Sequence, residues 1–435
     1  MLYQHQIDGL NRLKNYNRCA FYWDMGLGKT FVGAEKMLQL GSSVNLLICQ
    51  KSKIKDWVNH FVQHYVLSEN LMIYDVTKWK KDDWQMFSND PNFINNYHKA
   101  KKYVLIINYE LCWRRPELAK LTNFTLMLDE SSCIQHISAK QTKFIVNKLK
   151  PLNVILLSGT PCAGKYEDLW TQAKLLGWDI SKPTYEKHYI NYKTLWIGNV
   201  PRKIVDKDNP YKNVERLKNK LREHGADFLK TEDVLDLPEQ NFIPVMVPES
   251  KEYRKFIKTG YLKLEDGTEL IGDTTFNKRL RSRQLCGMYS QDKLNAFRDL
   301  LQSTNDRLIV FYNFTEELRK LTLLCGNRPI SIINGETKDL TAYDNCSDSV
   351  TFVQYQAGAM GLNLQKANKI IYFTLPERSD LFEQSKKRIH RIGQNNPCFY
   401  YIMMCEGSVE EVIYETLKLR KDFTDELFEE KVVRK

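Results

Sequence analysis

The stretch FYWDMGLGKTF, Phe21–Phe31, contains residues that could bind the phosphates of a nucleotide. Gly26 and Gly28 permit a tight turn in which backbone amides converge on an anion. Lys29 can reach the β and γ phosphates, and Thr30 can hold Mg²⁺. A predicted strand precedes the loop and a predicted helix follows it, as this motif requires. The predicted nucleotide-binding residues of the loop are Asp24, Met25, Gly26, Leu27, Gly28, Lys29 and Thr30.

The loop departs from the full phosphate-binding pattern at Trp23, where the pattern has glycine, so a second element is needed. That element is Asp129 and Glu130, which follow an apolar strand in LMLDESSCIQH, about 100 residues after the loop. An aspartate at the carboxyl end of a strand can hold Mg²⁺, and the adjacent glutamate can polarise the attacking water. Two acids alone would indicate a solvated turn, whereas together with the loop they predict a site for hydrolysing a nucleoside triphosphate.

The bulk composition is that of a soluble globular protein large enough for two or three domains. The chain has 435 residues, 43% of them hydrophobic and 27% charged. No apolar run is long enough to span a membrane, and the start lacks the pattern of a secretory signal. The ten cysteines are scattered without a C-x-x-C pair, which indicates reduced thiols. We therefore expect an intracellular, soluble protein.

Short apolar strands alternate with helical patterns in the first and last parts of the chain, which predicts parallel sheets covered on both faces. The predicted fold class is α/β with two lobes. The predicted divisions are a first lobe at residues 1–180, a mostly helical insertion at 181–284 and a second lobe at 285–435.

The middle of the chain is basic, which offers a surface for a polyanion. Between Lys182 and Arg222 there are eleven Lys and Arg residues against four Asp and Glu residues, within a chain of net charge +11. A solvated helical face would have the same composition, so both interpretations stay open: a solvated face, or a surface that follows nucleic-acid phosphates.

Three later motifs follow the loop and the acidic pair in a fixed order: LLSGTP (Leu156–Pro161), QAGAMGLNL (Gln356–Leu364) and QSKKRIHRIGQ (Gln384–Gln394). Together the motifs resemble those of superfamily-two helicase motors. MGLGKT, GLNL and HRIGQ resemble in particular the Swi/Snf (Snf-two) family of DNA-dependent ATPases, over most of the chain. The resemblance implies two RecA-like lobes and a compact, divergent member of this family, similar to its small virus-encoded motors.

The resemblance also implies roles for individual residues. Gln6 matches the glutamine that reads adenine, and Glu130 matches the residue that acts on water. Arg388 and Arg391 match arginines that reach the triphosphate from the second lobe; three residues apart, they are expected on one helical face. ATP and Mg²⁺ are the implied cofactors, with Thr30 and Asp129 at the metal. Further positions expected at the nucleotide are Gly361, Asn363 and Gln384.

The implied partner is double-stranded DNA, gripped through its backbone without sequence specificity. The residues expected to contact DNA are Lys51, Lys53, Asn108, Thr160, Asn313, Thr337 and Lys338. Departures from the family pattern include Ser132, which replaces a histidine in DESS, and Gly164, which falls where asparagine is frequent. The expected location is the bacterial cytoplasm or nucleoid for a viral protein, or the nucleus for a eukaryotic one.

Three functions remain open from the sequence. The first is an ATP-driven translocase on duplex DNA that remodels protein–DNA or DNA structures. The second is a helicase that separates DNA or RNA strands. The third is a nucleotide-gated DNA clamp with little turnover, which Trp23 and Ser132 keep open.

Overall fold

The computed structural model describes residues 2–66, 71–89, 102–265, 267–358 and 362–428. The chain divides into two compact units: the first contains residues up to Val234 together with the described residues 422–428, and the second contains Leu235–Lys421. The described helices include none with the length and apolar content needed to cross a bilayer.

The first unit is built on a parallel sheet with the strand order β3-β4-β2-β5-β6-β1-β9 over the described residues. Strands such as β2 and β6 are buried along their whole length, which explains why they read as continuous apolar runs rather than alternating ones. The strands of this sheet are β1 (Arg18–Trp23), β2 (Val44–Cys49), β3 (Leu71–Asp75), β4 (Lys102–Asn108), β5 (Thr125–Asp129), β6 (Asn153–Ser158) and β9 (Ala226–Leu229).

Helices surround this sheet, and a separate hairpin of two antiparallel strands, β7 (Tyr192–Ile197) and β8 (Val200–Val205), lies apart from it. The described helices are α1 (Gln4–Arg12), α2 (Lys29–Leu40), α3 (Ile54–His64), α4 (Lys81–Asn89), α5 (Tyr109–Cys112), α6 (Lys140–Asn147), α7 (Trp170–Leu175), α8 (Lys182–Tyr189) and α9 (Val214–Glu223).

The second unit contains another mostly parallel sheet, with the described strands in the order β10-β18-β17-β13-β16-β14-β15. Only the pairing of β14 with β15 is antiparallel among these described strands. The strands are β10 (Gln240–Val247), β13 (Leu308–Tyr312), β14 (Ile330–Ile333), β15 (Lys338–Asp339), β16 (Val350–Gln354), β17 (Lys369–Tyr372) and β18 (Cys398–Cys405).

A short ribbon of β11 (Tyr261–Lys263) and β12 (Glu269–Ile271) accompanies the second sheet. The described helices of this unit are α10 (Lys251–Thr259), α11 (Thr275–Met288), α12 (Gln291–Gln302), α13 (Thr315–Leu323), α14 (Thr341–Asn345), α15 (Tyr355–Gly358), α16 (Ser379–Lys386) and α17 (Val409–Phe428), of which residues 409–421 belong to this unit. The α/β class and the two parallel sheets are confirmed.

Residues 181–284 contain strands as well as helices, and they contribute to both sheets. β9 adds an edge to the first sheet beside β1, and β10 adds an edge to the second sheet beside β18. The two compact units therefore divide inside this stretch rather than at its ends. The division into an ATP-binding lobe, an insertion and a C-terminal lobe stays a prediction.

The order of the first sheet sets the position of the candidate site. β5, β6 and β1 are neighbours, so their carboxyl ends lie side by side at one edge. The phosphate-binding loop follows β1, Asp129 ends β5 and Ser158 ends β6. Ligands of open parallel sheets bind at this edge, so the topology brings the three predicted motifs together.

Candidate active site

The phosphate-binding loop ends at Gly28, which adopts a left-handed conformation with φ +75° and precedes the first turn of α2. Glycine is required there because of the backbone angle and because a Cβ would lie 2.1 Å from Nε2 of Gln6. Gly28 offers no side-chain cap to the twelve-residue α2, and the positive end of a helix dipole is a favourable position for an anion.

Gln6 lies against the loop, and its role at the nucleotide stays a prediction. Its Nε2 donates to the carbonyls of Leu27 and Gly28, each at 3.3 Å, while its Oε1 accepts from the amide of Tyr3 at 2.9 Å. A ring nitrogen of His5 lies 3.1 Å from the same Leu27 carbonyl. Helix α1 is thus joined to the loop through consecutive side chains.

Lys29 has its ammonium group folded over the loop. Nζ donates to the carbonyl of Trp23 at 2.7 Å and to that of Asp24 at 3.0 Å. A Cβ on Gly159, in the SGTP segment after β6, would lie 3.4 Å from Nζ. The loop and the SGTP segment therefore meet at the lysine.

Trp23, the residue that departs from the phosphate-binding pattern, is a fully buried structural residue. Its indole nitrogen donates to Asp227 at 2.7 Å, and its ring packs edge-on against Phe21 with centroids 5.2 Å apart. Helix α1 passes so close that a Cβ at Gly9 would lie 2.2 Å from Cζ2 of Trp23. The tryptophan therefore joins β1, β9 and the helix that carries Gln6, without entering the phosphate loop.

Asp129 lies at the end of β5, and its Oδ2 accepts a 2.7 Å hydrogen bond from the indole of Trp57. Burial raises the pKa of Asp129 above its ordinary value, while the bond from Trp57 and the charges of Lys53 and Lys29 oppose that rise. The net rise means that the surrounding positive charge does not fully compensate the carboxylate. Trp57 was not predicted at the site, because its sequence position gives no sign of this contact.

Glu130 has a left-handed backbone, with φ 53° and ψ 60°. Such a conformation is unusual for a residue with a Cβ and costs on the order of 1–2 kcal/mol. Hydrogen bonds maintain it: the Tyr109 hydroxyl donates to the carbonyl of Asp129 at 2.9 Å, and the Cys133 amide donates to that of Glu130 at 2.9 Å. Because of this left-handed turn, the backbone at Glu130 leaves the direction of β5, the strand that ends at Asp129.

A buried glutamine on α7, Gln172, connects three segments around the site. Its Oε1 accepts from the hydroxyls of Tyr22 at 3.0 Å and Ser131 at 2.7 Å, and its Nε2 donates to the carbonyl of Pro161 at 2.6 Å. One amide group thus joins the strand before the phosphate loop, the DESS segment and the SGTP segment. Sequence reasoning missed Gln172, because α7 also contains the polar Thr171 and Lys174 and nothing in its sequence distinguishes the glutamine.

Gln172→Leu is expected to lower the free energy of unfolding by about 2–4 kcal/mol, because it leaves two hydroxyls and a carbonyl buried without their partner. Urea denaturation of the variant and the wild type measures the difference. The matched control is the triple variant Tyr22→Phe/Ser131→Ala/Gln172→Leu, which also removes the two hydroxyls that donate to Gln172. Only the Pro161 carbonyl then lacks its partner, so part of the lost free energy of unfolding should be recovered. Equal stability of Gln172→Leu and wild type would contradict the role of this network.

In the second unit, the helical position predicted for Arg388 and Arg391 is wrong, because α16 ends at Lys386. The Lys386 carbonyl accepts from the Tyr400 hydroxyl at 3.2 Å, and the following residues form turns. In those turns, the Arg388 amide donates to Ser385 at 3.2 Å. The two arginines are therefore carried by a turn, and their spacing does not place them on one helical face.

The arginine turn is joined to the GLNL segment. The amide of Leu364 donates to the carbonyl of Arg388 at 3.1 Å, and Gln394 donates through Nε2 to Ala367 at 2.8 Å. Asn363 is exposed beside these contacts, Gln384 is buried, and burial lowers the pKa of Arg391. Gly361 lies outside the described residues.

The residues predicted to contact DNA fall into two groups. The side chains of Lys51, Thr337 and Lys338 are exposed, and Lys53 is partly exposed beside Asp56. The side chains of the other three residues are buried or hydrogen-bonded within the protein: Asn108, Thr160 and Asn313. Asn313 donates to the hydroxyl of Thr374 at 3.0 Å.

Glu317 anchors the segment that contains Asn313. Its Oε2 accepts from the amides of Asn313 at 2.9 Å and Phe314 at 3.1 Å and from the hydroxyl of Thr374 at 3.0 Å. The carboxyl group is fully buried, and that burial raises its pKa from 4.5 to about 7 in spite of these hydrogen bonds. The segment FYNF is therefore held by a carboxyl group that gains its proton near neutral pH.

Glu317→Gln is expected to remove a pH-dependent part of the stability. The folded protein holds the Glu317 proton more tightly than the unfolded chain, so this contribution is present below pH 4.5 and is lost as the pH rises to about 7. The loss amounts to as much as about 3 kcal/mol. Urea denaturation from pH 5 to 8 should show the wild type losing stability relative to the variant. A difference that stays constant with pH would contradict the prediction.

The residues of the first unit fit a magnesium-bound nucleoside triphosphate. Uncapped helix amides and Lys29 suit phosphate oxygens. The exposed hydroxyl of Thr30 and the carboxylate of Asp129 are oxygen donors of the kind that Mg²⁺ prefers, and the raised pKa of Asp129 shows an undercompensated negative charge. The donor set and the charge therefore agree with the predicted cofactors.

Comparisons with known proteins indicate the family of the chain. The chain matches the model of the SNF2-related domain over residues 5–292 and that of the helicase conserved C-terminal domain over residues 292–393. A solved structure titled Sulfolobus solfataricus SWI2/SNF2 ATPase core in complex with dsDNA is 19% identical, with a TM-score of 0.43, covering 98% of this chain and 92% of the other.

Two curated relatives are similar to this chain over most of its length. The ATP-dependent helicase/translocase YwqA of Bacillus subtilis is 23% identical, over 93% of this chain and 46% of its own length. The SWI/SNF-related matrix-associated actin-dependent regulator of chromatin subfamily A member 1 of Mus musculus is 24% identical, over 97% of this chain and 43% of its own length. The chain thus spans less than half the length of either relative. Since the SNF2-related model covers more than half of the chain, the protein belongs to the SNF2-related family.

Proposed function

We propose that this chain is an ATP hydrolase that binds duplex DNA, is stimulated by it and translocates along it, remodelling protein–DNA or DNA structures. The observation that carries the proposal is the meeting of Lys29, Asp129 and Glu130 at one edge of the first sheet, in a chain that belongs to the SNF2-related family. Because these residues are the ones that hydrolysis requires, the site favours an ATP-hydrolysing motor over a clamp with little turnover.

The roles of the residues follow from their chemistry. The amides of the phosphate loop and Lys29 bind the phosphates, and Gln6 reads the adenine beside the loop. Thr30 and Asp129 would hold Mg²⁺, which would neutralise phosphate charge. Glu130 orients and polarises the attacking water.

Arg388 and Arg391 supply the positive charge that stabilises the transferring phosphoryl group. The turn that carries them is hydrogen-bonded to the GLNL segment, which the family places at both nucleotide and DNA. A change in nucleotide at the arginines can therefore be transmitted to the segment that faces DNA. In the second unit, Glu317 accepts a hydrogen bond from the Asn313 amide and so fixes the backbone of the FYNF segment. The proposal that Asn363 and Gln384 assist at the nucleotide rests on their motifs.

We assign the side-chain contacts to DNA phosphates to Lys51, Lys53, Thr337 and Lys338, since these side chains are at least partly exposed. The buried Asn108 and Thr160 and the half-buried, internally bonded Asn313 shape the loops that present backbone groups to the DNA. Contacts of this type make binding dependent on salt and indifferent to sequence.

The test is a steady-state ATPase assay with duplex DNA, single-stranded DNA, RNA or no nucleic acid. Stimulation greatest with duplex DNA supports the proposal, and equal rates in all four conditions contradict it. Strand separation on a tailed duplex at a rate that matches ATP use would favour a helicase. Nucleotide binding without phosphate release would favour the clamp.

A further inference from the structure

The hairpin of β7 and β8 exposes an apolar tip on both of its faces. The strands pair in register, with Trp196 opposite Pro201 on one face and Ile197 opposite Val200 on the other. Trp196 is 65% exposed and Val200 is 60% exposed. A hairpin that buries little of its own apolar surface gains little stability from it, so such a tip indicates a binding surface.

The base of this hairpin is firmly attached to the first unit. The amide of Asp206 donates to the carbonyl of Asn191 at 2.9 Å, closing the two strands below the tip. The ring of Tyr211 stacks on Tyr166 with centroids 4.3 Å apart, and its hydroxyl donates to the Gly164 carbonyl at 3.1 Å. The hairpin is therefore fixed at its base to the loop that follows the SGTP segment.

The charges behind the tip favour a polyanionic partner. Residues 194–203 include no acidic residue, and Arg202 and Lys203 are exposed there. The two acids at the base share one cation, because the Lys193 ammonium lies 2.7 Å from Asp206 and 2.8 Å from Asp208, so their negative charge is partly compensated. In a nucleic acid, negatively charged phosphates flank stacked apolar bases. A tip with apolar side chains in front and positive charge behind therefore fits a nucleic acid better than it fits an apolar protein surface without acidic residues.

We propose that the hairpin inserts its apolar tip into duplex DNA. Trp196, with Ile197 and Val200, enters between base pairs and unstacks them, while Arg202 and Lys203 bind the adjoining phosphates. Apolar side chains that partly unstack a base step are a known mode of DNA binding and act together with basic residues on the backbone. The inference rests on the proposed function, since it names the element that engages the proposed DNA substrate.

The test compares the wild type with Trp196→Ser in binding to a duplex that contains 2-aminopurine, whose fluorescence rises when the base unstacks. We expect the wild type to raise the fluorescence and the variant to bind about tenfold or more weakly without that rise. Phe276→Ser, at an aromatic residue that is 73% exposed on α11, is the matched control and should behave as the wild type. Thermal denaturation confirms that both variants are folded.

A second measurement tests the cations. Arg202→Gln/Lys203→Gln should reduce the slope of log K against log salt by about 2, since two phosphate contacts are lost. The charge-matched control Lys255→Gln/Lys258→Gln, at exposed positions of α10, should keep the wild-type slope.

The outcomes separate this inference from the proposed function. A wild type that neither binds duplex DNA nor responds to it in the ATPase assay overturns both. A wild type that is stimulated by DNA, with Trp196→Ser matching it in affinity and 2-aminopurine signal, overturns only the inserted hairpin. A Trp196→Ser variant that changes self-association alone, measured by light scattering, also overturns it and assigns the tip to contact between copies.

Discussion

Lys29→Ala is expected to lower ATP turnover by about 10²–10³-fold and to weaken nucleotide binding, because it removes the cation that lies over the phosphate loop. The ammonium group now bonds to two loop carbonyls, so the alanine variant also loses an internal support of the loop. Steady-state hydrolysis and binding of a fluorescent ATP analogue measure the two effects. An unchanged turnover would show that phosphate is bound elsewhere.

Arg391→Ala is the contrasting variant for the same experiment. Its guanidinium is proposed to stabilise charge that develops during phosphoryl transfer, so turnover should fall by about 10³-fold while the affinity for the analogue stays near that of the wild type. Loss of affinity as large as that of Lys29→Ala would contradict this division of roles. Retention of turnover would remove Arg391 from the proposed catalytic set.

The strands and loops that form the candidate site were predictable because they depend on local patterns. β2 and β6 are buried apolar runs, and the phosphate loop has its glycines and lysine in consecutive positions. In contrast, the contact of Trp57 with Asp129 joins residues 72 positions apart, and the sequence contains no local sign of it. The links made by Gln172 were hidden for the same reason.

The strands in the middle of the chain were not predicted, for different reasons. β10 contains Pro244, which argues against a central strand, and the structure places β10 at the edge of its sheet, where proline is tolerated. The β7–β8 hairpin turns at Gly198 and Asn199, a pair typical of two-residue hairpin loops, but its basic residues resemble a solvated helical face. The sequence also has a helical pattern that continues past Lys386, whereas the structure ends the helix at Lys386 and forms turns after it.

Trp23→Gly would restore the glycine of the phosphate-binding pattern, yet it is expected to be strongly destabilising. The side chain is fully buried and bonds to Asp227, which also accepts two hydrogen bonds from Arg12 at 2.7 and 2.9 Å. Removing a buried tryptophan costs about 3–5 kcal/mol. For a unit of this size that corresponds to a fall in melting temperature of about 10 °C, measurable by calorimetry. Trp196→Gly, at an exposed position, is the matched control and should have a much smaller effect.

The close approach of Gly9 to Trp23 provides a test of the packing itself. Gly9→Ala in the wild type forces a methyl group to within 2.2 Å of the indole and should destabilise the protein. In the Trp23→Gly background the clash is gone, and the alanine should stabilise α1 by up to about 1 kcal/mol, since alanine is the better helix former. The double-mutant cycle therefore predicts a change of sign. If Gly9→Ala has the same effect in both backgrounds, Trp23 does not determine the position of α1, and the tryptophan cannot be what holds Gln6 beside the phosphate loop.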